Sequence, residues 1–231
     1  MIDINKLRSE LMKLALGNDK YATGNKRIVN TKQTLIGVRI PDLRKTAKEL
    51  SRAVTFDKIQ AFLTSLDKEN FEEIMIGGMI IGYAKLSDAE KIKLFQKYLK
   101  LVDSWAQIDS ITNRKMNTDE WWKFATECLE SPDEFTVRFG VIVMMDNFLN
   151  VKHIDQVFRS LRQIKHSGYY VKMAEAWLYA EAAVNFYSET LAELKHAEIN
   201  DWTRRKALQK MLESYRFSDS QKSEIREAKK L

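Results

Sequence analysis

Five aromatic residues, Phe71, Trp105, Phe135, Tyr169 and Trp202, recur along the chain at intervals of 34, 30, 34 and 33 residues. A period in this range is the mark of stacked helical pairs, in which each unit buries its apolar face only against its neighbours. Three residues beyond each aromatic stand Ile74, Ile108, Arg138, Lys172 and Arg205, so one column of the repeat changes from apolar to basic along the chain. One residue further stand Met75, Asp109, Phe139, Met173 and Lys206. Asp109 therefore places a carboxylate one helical turn from Trp105, at a register that neighbouring repeats fill mostly with apolar side chains.

Other features agree with a helical array. Proline occurs only twice, at Pro41 and Pro132, and glycine eight times in 231 residues, which suits a nearly all-helical chain. A hydrophobic content of 45% is enough for a core. The expected fold is all-α: a right-handed superhelix of stacked helical pairs with a basic concave face, forming a single domain over residues 1–231. Helices are expected from Asp3 to Leu16, capped by Asp3 or Asn5, from Pro41, from Asp88 behind a Ser87 cap, and over Ser104 to Asn113. The polar stretch Gly17 to Leu35 holds two glycines and no 3.6-residue apolar period, and reads as a long loop.

Several function classes are excluded or disfavoured. Gly77 and Gly78 follow no strand and precede no Lys-Ser/Thr pair, so they suit close helix packing rather than a phosphate loop. His153, His166 and His196 lack metal-ligand spacing, and no metal or cofactor is expected. Cys128 is the only cysteine; it reads as a buried structural thiol in a reducing, cytoplasmic setting. The opening MIDINKLRSE lacks the apolar centre of a secretion signal, and the apolar run Ile74 to Ala84 is too short to span a bilayer. No membrane partner is expected, and a monomer is expected.

The net charge of +6 and pI of about 9.2 are compatible with a polyanionic partner. The register sharpens this: Arg138, Lys172 and Arg205 recur near helix starts, and Arg204, Lys206 and Lys210 reinforce the last of them. Such a stripe either follows a phosphate backbone or is a solvated face. On the residues alone, Asp109 is either a helix acid paired with Arg114 or Lys115, or a chemical group. Trp105 and Trp177 are equally open between core and site, and Arg138 could pair with Asp133 or Glu134.

The segments GVRIPDLRK (Gly37 to Lys45), DSWAQIDSI (Asp103 to Ile111), EFTVRFGV (Glu134 to Val141), YYVKMAEAWL (Tyr169 to Leu178) and DWTRRKALQKMLESYR (Asp201 to Arg216) together resemble the HEAT-like-repeat DNA alkylation repair family, whose founding members are alkylpurine DNA glycosylases. The resemblance covers nearly the whole chain. It implies double-stranded DNA carrying cationic N3- or N7-alkylated purines as the partner and hydrolysis of the N-glycosidic bond as the reaction. Asp109, Trp105 and Trp177 take the catalytic positions, and Arg138 grips a phosphate. A charged base leaves readily, so what must be stabilised is oxocarbenium-like charge on the sugar, as in glycoside hydrolysis. A carboxylate at ~4 Å in an effective dielectric of ~20 contributes roughly 4 kcal/mol. Each indole adds about 0.5 to 2 kcal/mol by cation–π contact. The resemblance also implies excision without a deep base pocket, unlike base-flipping enzymes.

It further implies an amphipathic second helix with a DNA-contacting Tyr just before the GVR-P segment. Here that interval is the polar stretch around Tyr21, so the helix is expected to be missing. Two alternatives follow: a non-catalytic DNA-binding homologue, and a helical scaffold for protein partners.

Overall fold

The computed structural model describes residues 2–111 and 115–229. Among them the chain is all-α, with one isolated bridge between Thr34 and Asn70 and no strand. It divides into two compact units, Met1–Asn113 and Arg114–Leu231.

In the first unit the helices are α1 (Ile4–Ala15), α2 (Asp19–Val29), α3 (Ile40–Ser51), α4 (Phe56–Ser65), α5 (Phe71–Tyr83), α6 (Asp88–Tyr98, continued by a 3-10 turn Leu99–Leu101) and α7 (Trp105–Asp109). Helix α1 buries Leu7, Leu11 and Ala15, an i, i+4, i+8 stripe, and Asp3 caps it by accepting the N–H groups of Asn5 and Lys6. Helix α5 is the core of the unit: it packs on α3, α4, α6 and α7, and from Phe71 to Ile81 every residue is buried. Gly78 makes this possible, because a Cβ there would lie 2.5 Å from the Tyr98 ring. Ser87 and Glu90 form a reciprocal capping box at α6.

Burying α5 on all sides also buries two carboxylates, and each finds partners. Glu73 pairs with Arg8 at 2.6 Å. Glu72 accepts the N–H groups of Ile36, Gly37 and Val38 at 3.1, 2.8 and 3.3 Å. Burial pushes the Glu72 carboxyl up from its ordinary value, and the N–H bonds from Gly37, Ile36 and Val38 oppose that shift.

The structure corrects the expected loop over Gly17 to Leu35: residues Asp19–Val29 form α2, and Tyr21 lies on it. The helix escapes a periodicity test because Val29 is its only buried residue. It is held from outside. Gly37, at φ +96°, lets α2 approach so closely that a Cβ there would sit 2.9 Å from the Ala22 Cβ. The Arg39 guanidinium lies 4.6 Å from the Tyr21 ring centroid. Asn30, in the left-handed conformation at φ 50°, ends the helix. The GVR-P segment and α2 are therefore one assembly, clamped from beneath by Glu72.

In the second unit the helices are α8 (Asp119–Leu129), α9 (Glu134–Asn147), α10 (Ile154–Arg162), α11 (Tyr169–Asn185), α12 (Tyr187–Glu193), α13 (Asp201–Glu213) and α14 (Asp219–Ala228). Helix α11 packs between α9 and α13, α8 packs on α9, and α14 on α13. Helices α9 and α11 are apolar nearly all round, as internal layers require. All five repeating aromatics fall on the first or second residue of a helix, those of α5, α7, α9, α11 and α13. Cys128 is buried, with its thiol pushed up to about 12 by burial. Trp121 is buried, while Trp122 packs on Phe148 and His153. Among the described residues, no helix is long and apolar enough to cross a membrane.

Candidate functional site

Helix α7 is only five residues long, so its orientation depends on side-chain ties rather than on its own hydrogen bonds. Ser104 caps it through Ala106 N–H and donates its hydroxyl to the Val29 carbonyl at 2.6 Å. The Trp105 indole N–H donates to the Ile28 carbonyl at 3.3 Å. Gln107 is fully buried: its amide nitrogen donates to Gln33 Oε1 at 2.6 Å and to the Phe71 carbonyl, and its oxygen accepts Asp103 N–H. The Asp103 carboxylate in turn accepts the Thr31 hydroxyl at 2.5 Å and Lys32 N–H at 2.9 Å.

Most of the polar groups of the Asp103 to Ile111 segment thus fasten α7 to the end of α2 and the extended stretch beyond it. Within α7, Ala106, Gln107 and Ile108 are buried, whereas Trp105 and Asp109, one turn apart, are half exposed. The helix expected to run to Asn113 ends at Asp109, closed by Ser110 N–H on the Ala106 and Ile108 carbonyls. Thr112, Asn113 and Arg114 lie outside the described residues, among them one of the two basic residues weighed as partners of Asp109; Lys115, the other, is exposed at φ 71°.

In the second unit Arg138 sits in the second turn of α9. It is only 5% exposed, and its guanidinium donates to the Tyr170 carbonyl at 2.8 Å. Nearby, Asp133 caps α9 through Thr136, and Glu134 accepts Tyr170 N–H at 2.6 Å. Lys172, half buried on α11, lies 5.4 Å over the Trp202 ring. On α13, Arg205 is exposed, and Lys206 and Lys210 share a face at i, i+4. Burial and the nearby Lys206 charge hold the Lys210 ammonium below its ordinary value. Arg204 is turned to different work: it donates to the Leu194, His196 and Ile199 carbonyls and pairs with Asp201, tying α13 to the loop after α12.

Trp177, on α11, is half exposed and lines a cleft of about 480 Å³ with Asp146, Asn147, Asn150, Glu181, Asn185 and Arg216. Its indole N–H donates to Glu181 at 3.2 Å. Glu181 was not singled out by the repeat register, and its partner Arg216 lies 35 residues away, so only the fold brings the three together.

Glu175, on the same helix, accepts the Thr203 hydroxyl, and burial pushes its carboxyl up to about 7. A carboxyl whose folded value is raised binds a proton that the unfolded chain has released, so its contribution to stability is full below the unfolded value and is lost as pH rises through about 7. We expect the second unit to lose up to about 3 kcal/mol between pH 5 and pH 8, since each tenfold difference in proton affinity between the folded and unfolded chain is worth about 1.36 kcal/mol. Glu175→Gln should flatten that slope in urea melts taken across the range; an unchanged slope would assign it to other groups.

Compared with known families, residues 8–211 match the one described as DNA alkylation repair enzyme. No curated protein matched the chain.

Proposed function

This chain belongs to the DNA alkylation repair enzyme family, and from that membership we propose that it is an alkylpurine DNA glycosylase, hydrolysing the N-glycosidic bond of cationic N3- or N7-alkylated purines in duplex DNA. The observation that carries the reading is α7: an indole and a carboxylate, one turn apart, are half exposed on a short helix whose other side chains are buried and which Ser104 and Gln107 tie in place. Such ties hold a charged group in position before reaction, which is the condition for electrostatic stabilisation of a transition state.

In this reading Asp109 faces the sugar as positive charge develops on it and orients the attacking water. Trp105, on the same helix, offers its π face to that cation, and Trp177, lining the cleft of the second unit, is proposed as a further cation-recognising indole. The presence of α2 favours catalysis over the non-catalytic alternative, since that alternative rested on the helix being missing. Trp105 is hydrogen-bonded to α2, so the element expected to touch DNA also orients a catalytic side chain.

Lys172, Arg205, Lys206 and Lys210 are proposed to hold the phosphate backbone directly; Arg138, buried on the Tyr170 carbonyl, and Arg204, committed to backbone carbonyls, are proposed to act on DNA through the charge and position they give α9 and α13. Each phosphate contact releases condensed counterions, so affinity should fall steeply with salt. Lys210→Ala is expected to lower the slope of log affinity against log salt by about 0.9, uniformly across sequences. An unchanged slope would remove Lys210 from the interface. The activity itself is tested by incubating methylated duplex with the protein and counting alkali-labile abasic sites; a count no higher than spontaneous depurination would reject the reading.

A further inference from the structure

Trp177 does not stand alone in its cleft. Its indole N–H donates to Glu181 Oε1 at 3.2 Å, one helical turn away. Arg216 then clamps the same carboxylate from the far side, Nη1 to Oε2 at 2.7 Å and Nη2 to Oε1 at 2.6 Å. Arg216 is itself anchored, its Nε donating to the hydroxyl of Ser214, the residue that ends α13. Both carboxylate oxygens are thus engaged, and the chain indole–carboxylate–guanidinium joins α11 to the segment after α13. Arg216 lies beyond the part of the chain that matches the family, residues 8–211.

This geometry has a chemical consequence. An N–H held by a carboxylate gives a charge-assisted hydrogen bond, stronger and more directional than one to a neutral acceptor. It fixes the ring plane and polarises the indole, shifting electron density toward the ring faces, where a cation is attracted. Arg216 balances the carboxylate charge, so the effect reaches the cleft through the ring rather than as a bare negative field. Arg216 also holds Glu181 below the usual carboxylate range, so the acceptor stays ionised at neutral pH.

We propose that Glu181, clamped by Arg216, is a positioning residue that orients and polarises Trp177 for recognition of positive charge on the sugar at the lesion. The inference rests on the glycosylase reading and extends it to a residue pair that acts through Trp177 and touches neither base nor sugar.

The test compares two duplexes of one sequence, one carrying a pyrrolidine sugar that is cationic at neutral pH, the other a neutral tetrahydrofuran abasic site. Affinities are read by fluorescence anisotropy. Wild-type protein is expected to prefer the cationic site, and Glu181→Gln to lose about fivefold of that preference while its affinity for the neutral site changes less than twofold. Trp177→Phe should lose the preference too, with no further loss in the double variant, because Glu181 acts through Trp177. Glu181→Asp withdraws the carboxylate by one methylene and should also lose preference, which serves if the Gln variant does not fold. A preference undiminished in the Glu181 variants overturns the inference alone. If wild-type protein binds both sites alike, the inference and the glycosylase reading fall together. An equal loss on both duplexes would mark a merely structural pair and also overturn it.

Discussion

Asp109→Asn is expected to lower the single-turnover rate of alkylpurine excision by about three orders of magnitude while leaving duplex affinity within about twofold. The first figure follows from one full charge acting at ~4 Å in an effective dielectric of ~20, roughly 4 kcal/mol, at about 1.36 kcal/mol per tenfold in rate. The second follows because Asn keeps the shape of the side chain, and because an acid beside a phosphate backbone does not aid binding. The surroundings of Asp109 are suited to this separation of rate from affinity: α7 is fixed by Ser104 on the end of α2 and by Gln107 on Gln33, so the substitution leaves those ties in place. A rate within threefold of wild type would remove Asp109 from the chemistry.

Glu72→Ala is the second large effect, and it acts at a distance from the proposed chemistry. The buried carboxylate satisfies three consecutive N–H groups, those of Ile36, Gly37 and Val38. Removing it leaves those donors without their acceptor, at a cost of ~1–3 kcal/mol for each group that stays buried. A loss of about 3 kcal/mol or more is expected in the first unit. Since Gly37 abuts α2 and α2 bonds Trp105, the loss should spread: hydrogen exchange should speed at residues 36–38 and along α2, and excision should fall with it. Glu72→Gln keeps one acceptor oxygen and should recover part of both. Unchanged exchange along α2 in Glu72→Ala would show that the helix is held by other means.

These two substitutions also divide what could be read from the chain from what could not. The all-α class, the helix starts behind Asp3 and Ser87, and the placement of the repeating aromatics at helix starts are written locally, in caps and in spacing. That Trp105 and Asp109 share one helix, a turn apart, was legible for the same reason, in their spacing.

Helix α2 was not legible, because what holds it lies elsewhere: the missing Cβ of Gly37, the Arg39 guanidinium and the Trp105 and Ser104 side chains. A window of sequence with one buried residue contains no trace of those contacts. The basic column showed the same limit. Charge and spacing put Arg138, Arg204 and Arg205 in one class, yet burial gives Arg138 to the Tyr170 carbonyl, carbonyl geometry takes Arg204, and Arg205 alone of the three is exposed. Glu72 and Glu73 did leave a signal, two acids opening an apolar run, which can be read as carboxylates that must find buried partners.

The proposed reaction breaks the bond between an alkylated purine and its sugar. The most direct measurement is chromatographic release of free 7-methylguanine and 3-methyladenine from methylated duplex DNA, with protein in excess, comparing wild type and Asp109→Asn. Wild type is expected to release both bases well above the spontaneous rate, and the variant almost none. Release at the spontaneous rate in both, from protein that binds the duplex, would contradict the proposal and leave a DNA-binding relative of the repair enzymes without their chemistry.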